Sequence, residues 1–97
     1  MFVISLNYLK PLSEVDKFVA EHREFLERHY ASGHFLLSGR KEPRVGGIIL
    51  AKAATRTELE SIIKNDPFNR EKIAEYEIIE FIPSMSTETL AGFKAAP

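Results

Sequence analysis

Apolar positions alternate through Phe2-Val-Ile-Ser-Leu-Asn-Tyr8, with Phe2, Ile4, Leu6 and Tyr8 on one side, and this period of two predicts a strand. After Lys10-Pro-Leu the period lengthens. Ser13, with Asp16 three residues on, reads as a capping box with Asp in place of Glu. The helix it opens runs to about Ser32, and Gly33 supplies a residue able to take positive φ beyond its end. At about 100° per residue, Val15, Phe18, Val19, Phe25, Leu26, His29 and Tyr30 fall within roughly 80° of His22. Asp16, Lys17, Glu21, Glu24, Glu27 and Arg28 fall outside that arc. The centre of the face to be buried is therefore a histidine.

His34 to Gly39 reads as a second strand, 40–47 as a polar hairpin loop, and Gly47 to Ala53 as a third strand. Thr55 and Glu58 form a capping box for a second helix whose inward face is Leu59, Ile62 and Ile63. Pro67 disfavours helical geometry at Asp66 and ends it there. Glu75 to Ile82 is the fourth strand. The order β-α-β-β-α-β is that of a ferredoxin-like α+β domain over residues 1–83, a four-stranded antiparallel sheet with two helices on one face. The other face is too apolar for a half-solvated sheet: Ile48 and Leu50 oppose Ile49, Ala51 and Ala53, and Ile79 and Phe81 oppose Tyr76 and Ile78. Such a patch predicts a homodimer that buries it. The tail, 84–97, with Met85, Leu90 and Phe93, is a candidate to cover part of that face and pack on the partner.

Composition narrows the function. Ninety-seven residues, 44% hydrophobic and 28% charged, suit one globular domain. A net charge of −1 offers no basic stripe for nucleic acid. No apolar run approaches a membrane span, and the chain opens on a strand pattern in place of a signal peptide, so a cytoplasmic protein is expected. Without cysteine there is neither disulfide nor thiolate chemistry. No nucleotide loop or metal-ligand cluster is present, so no cofactor and no metal are expected. His22 and His29 are about 10 Å apart along the helix, too far for one metal ion. His29 is expected to snorkel or hydrogen-bond at the helix face, and His34 to be exposed at a strand start.

Asp66 lies seven residues after Leu59, on the inward side of the second helix. Each helix thus presents one polar residue toward the core, His22 and Asp66. A carboxylate in reach of an imidazole fixes its tautomer and stabilises the imidazolium, the construction of a general base near neutral pH. Two readings stand side by side, because a lone histidine can be structural and Asp-Pro commonly ends a helix. The loop 40–47 carries three cations and paired glycines, so it reads either as an anion cradle or as a solvated hairpin turn. Tyr8, Arg23, Ser38, Arg40 and Phe68 are candidates for the wall of a substrate cleft.

Glu21-His-Arg-Glu-Phe-Leu26, Gly33-His-Phe-Leu-Leu-Ser-Gly39 and Asn65-Asp-Pro-Phe68, in that order, resemble the signature of the YCII-related (YciI-like) family. The resemblance implies a dimeric α/β barrel and a site at His22 and Asp66. It further implies proton-transfer and elimination chemistry of the kind used by a dehydrochlorinase in the family. The chain departs from the pattern at Val19, where some members carry arginine, and at Arg40, where many carry proline. A small cyclic or carbonyl-containing metabolite undergoing elimination, isomerisation or hydrolysis is the leading expectation. A non-catalytic ligand-binding or accessory dimer is the alternative.

Overall fold

The structure is a computed structural model and describes residues 1–95. Strands β1 (Phe2–Tyr8), β2 (Phe35–Arg40), β3 (Gly46–Ala51) and β4 (Ala74–Glu80) form one sheet in the order β2-β3-β1-β4. Every neighbouring pair is antiparallel. Helices α1 (Leu12–Val15), α2 (Val19–Ala31), α3 (Arg56–Ile63) and α4 (Pro67–Arg70) connect them, with a 3₁₀ turn at Asp16–Phe18 and another in the tail at Glu88–Phe93. This is the ferredoxin-like α+β arrangement that the alternation predicts.

The core lies between helices and sheet. Phe2, Ile4 and Leu6 of β1 are buried against Phe25 of α2, Leu59, Ile62 and Ile63 of α3, and Phe68 of α4. Phe25, not His22, is the fully buried residue of the long helix. Covering such a ring contributes about 2–3 kcal/mol. On β3, Ile49 and Ala51 point into this core, as their alternation requires.

Several local expectations change. The first helix is not opened by Ser13. Pro11 sits at its N-cap, and its carbonyl accepts from the N–H groups of Glu14 (2.9 Å) and Val15 (3.1 Å), which places Ser13 inside the first turn. Asp16 makes no cap and instead pairs with Arg44 of the hairpin loop at 2.6 Å. Thr55 does cap α3, accepting from Glu58 N–H at 3.1 Å. Glu58 does not complete the box at Thr55, since its carboxylate takes the Ala54 N–H (3.3 Å) and His34 Nε2 (2.7 Å). His34 is accordingly half-buried and bridges β2 to α3, with its other nitrogen on Ser32. Gly33 takes φ +83° after α2, the left-handed conformation that glycine adopts without strain. Gly46 is fixed by a close approach: a Cβ there would lie 1.7 Å from the Leu6 carbonyl oxygen.

The outer face of the sheet is open. Leu37, Ile79 and Phe81 are exposed. Tail residues Met85, Leu90 and Phe93 line a groove of about 330 Å³ together with Leu37 and Leu50 from that face. Residues 96 and 97 of the tail lie outside the described residues.

Candidate functional site

Asp66 reaches the core by a route that helical periodicity does not describe. The third helix ends at Ile63, and Asp66, in extended backbone geometry, is the N-cap of α4, with Pro67 at its first position. Proline suits that position because its missing N–H has no intrahelical partner there. The Asp66 Oδ1 accepts the Phe68 N–H at 3.0 Å, as an N-cap carboxylate does. The residue is completely buried.

His22 comes to the same carboxylate from α2. Its Nδ1 lies 2.8 Å from Asp66 Oδ1, and its side chain is 15% exposed. The other oxygen, Oδ2, accepts from the hydroxyl of Tyr76 on β4. Burial, and then the adjacent carboxylate, push the Tyr76 phenol far above its ordinary range, so it remains a donor. A buried carboxylate is costly unless its lone pairs are met, and here three donors meet them. Because an ionised carboxylate can only accept, His22 Nδ1 is the donor to Asp66, and in the neutral imidazole Nε2 is then the nitrogen with the lone pair. Among the described residues Nε2 has no hydrogen-bond partner within the chain.

The imidazole cannot easily turn. Phe68 stacks on it with centroids 4.0 Å apart and planes 2° from parallel, and the Phe25 ring lies 6.3 Å away. Tyr8 in turn meets Phe68 edge-on at 6.0 Å. The N-cap that turns the carboxylate toward His22 is thus followed two residues later by the ring that holds the imidazole.

His22 lines a cavity of about 400 Å³ between α2, the start of the sheet and the β2–β3 hairpin. Tyr8, Arg23, Ser38, Arg40 and Phe68 line it as well, so the cleft collects every residue expected there, with Asp66 behind its wall. The facing strands carry small residues at this end, and Ser38, Gly39, Gly46 and Gly47 all line the cavity. Ser38 also bonds the Tyr30 hydroxyl, tying β2 to the last turns of α2. Sequence reasoning missed Tyr76 and the wall position of Arg44. Tyr76 stands in register with Leu6, on the core face of β4, and a phenol on such a face needs a polar partner. Arg44 enters through its bond to Asp16.

The other histidines are separate. Of the two expectations for His29, snorkelling or hydrogen bonding, the Nδ1 atom meets neither: it is buried without a partner, beside Phe25 and Phe35. Burial lowers its pKa, with His34 and Arg28 adding in the same direction. Among the described residues no group of three His, Asp or Glu side chains is placed to hold a metal ion. Among them, too, no helix is long and apolar enough to cross a membrane.

Fold and cleft together define a ferredoxin-like α+β domain that holds a histidine–carboxylate pair beside a cavity of about 400 Å³. The chain belongs to the YCII-related domain family, whose model matches residues 1–82. No curated protein sequence matches it. Among solved structures it is similar to 5-chloro-2-hydroxyhydroquinone dehydrochlorinase (TftG) from Burkholderia phenoliruptrix AC1100, in complex with 2,5-dihydroxybenzoquinone. The two share 18% sequence identity and superpose with a TM-score of 0.71, over 86% of this chain and 95% of the other. At that identity the likeness is one of fold.

Proposed function

We propose that the protein is a small-molecule enzyme in which His22 is the general base and Asp66 its orienting carboxylate. One observation carries this reading: Asp66 Oδ1 lies in hydrogen-bond reach of His22 Nδ1, and with Nδ1–H donated to it the Nε2 lone pair of the neutral imidazole faces the cleft. Nε2 removes a proton from an activated C–H or O–H of the substrate. The electron pair stays on the substrate as an enolate, or expels a leaving group from the adjacent carbon in an elimination. The imidazolium so formed keeps its Nδ1–H on Asp66, a charge-assisted bond to a fully buried carboxylate. Positioned bases of this kind contribute about 10²–10⁴ in rate. The fold shared with a dehydrochlorinase supports elimination over hydrolysis.

The unit that carries this site is a homodimer formed through the outer sheet face, with the tail packing at its margin. The exposure of Leu37, Ile79 and Phe81 supports this, and light scattering on dilute protein tests it.

The decisive experiment is a metabolite screen for turnover, repeated with His22→Asn. Loss of turnover with the circular dichroism spectrum unchanged is expected. An unchanged rate would refute the general base. Binding of a screened compound without turnover by the unmodified protein would leave a ligand-binding or accessory role.

A further inference from the structure

The charge of the cleft runs opposite to that of the protein. The chain as a whole carries 14 acidic and 13 basic side chains. Among the described residues, the side chains lining the cavity include Arg23, Arg40 and Arg44 and no Asp or Glu. Two of these cations are partly neutralised from outside, Arg40 by Glu42 at 2.9 Å and Arg44 by Asp16 at 2.6 Å. Arg23 has no ion-pair partner among the described residues and directly follows His22 in α2. Three like charges around one concavity repel each other. They also focus a positive potential into a cleft with low-dielectric walls. The rest of the lining, with Leu6, Leu26, Ile49 and Phe68, is apolar.

We infer that the ligand of this cleft is a small organic carboxylate, its charged oxygens held by Arg23 with Arg44 and its apolar body against Leu26 and Ile49. This rests on the reading of the cleft as a small-molecule site. Planar guanidinium groups match the paired oxygens of a carboxylate. Apolar walls separate such a ligand from inorganic phosphate, which would carry the charge and leave those walls uncovered. The same cations would hold the additional negative charge that appears on the substrate when His22 takes its proton.

The test is an NMR chemical-shift titration of the full-length isotope-labelled chain with benzoate, phenylacetate and 4-hydroxybenzoate, with their neutral amides, and with inorganic phosphate. At least one carboxylate is expected to bind about tenfold more tightly than its amide, shifting signals of Arg23 and His22. Arg23→Gln and Arg44→Gln, both changes at solvent-accessible side chains, should each reduce that preference, and added salt should weaken it. Amides binding as well as carboxylates, phosphate binding better than all of them, or no carboxylate binding at millimolar concentration would each overturn the inference. Its failure is distinct from failure of the general base. A neutral substrate turned over through His22 would remove the anion class and leave the base. Carboxylate preference with turnover indifferent to His22→Asn would do the reverse.

Discussion

Tyr76→Phe isolates the least expected member of the buried cluster. The substitution removes one oxygen and keeps the ring, which is packed on the core face of β4 opposite Leu6. What is lost is a hydrogen bond donated to a carboxylate oxygen of Asp66, a residue with no exposure to water. Bonds to charged groups contribute about 1.5–3 kcal/mol, and the orphaned Oδ2 has no solvent to take the donor's place. A loss of about 2 kcal/mol is therefore expected. For a domain of this size, that lowers the melting temperature by roughly 10 °C. Urea unfolding at fixed protein concentration should show a lower midpoint with an unchanged slope, since the surface exposed on unfolding is the same. The His22 tautomer should persist, because Oδ1 still accepts from Nδ1, and imidazole ¹⁵N shifts would show it. Combined with Asp66→Asn, the two losses should fall short of additive by about 1 kcal/mol or more. A cost below about 0.5 kcal/mol, or strict additivity, would mean that the hydroxyl does not support the carboxylate.

Three further outcomes follow from the same geometry. Gly46→Ala forces a Cβ toward the Leu6 carbonyl, 1.7 Å away, and should cost about 3 kcal/mol or more by chemical denaturation, whereas Gly39→Ala, with open space around it, should stay within about 0.5 kcal/mol. Phe68→Leu keeps an apolar side chain but removes the stack on His22, so a loss of about 1–2 kcal/mol is expected together with broadened His22 ring signals. His29 has a folded pKa below its ordinary 6.5. The unfolded state then binds more protons in the window beneath 6.5, so stability falls as pH drops through it and is restored above it. His29→Phe should flatten that limb in melting experiments run across the window.

How far the sequence reached differs between fold and site. Alternation in β1 and β3, the Leu59, Ile62 and Ile63 stripe, and Gly33 were legible because each reflects a local period or a local backbone demand. The opening of the first helix was not. Pro11 has a carbonyl to offer as readily as Ser13 has a hydroxyl, and Asp16 was drawn away by Arg44, 28 residues distant. Asp66 was placed on the right side of the molecule for an incomplete reason. Its direction comes from capping α4, a helix of one turn whose four residues are too few to show a period.

The sequence alone determined that this protein has a β-α-β-β-α-β order, a histidine in the stripe of its longest helix and an aspartate before a proline on the inward side of the next. Those properties follow from neighbours a few residues apart. Only the tertiary structure decided that His22 and Asp66, 44 residues apart, meet at 2.8 Å, that Tyr76 supplies the third donor, and that three arginines from a helix, a strand and a loop surround one cleft. The physical reason is one of range. Periodicity fixes which face a side chain occupies, while contact between faces depends on how the sheet's register and its connecting turns bring separate elements together.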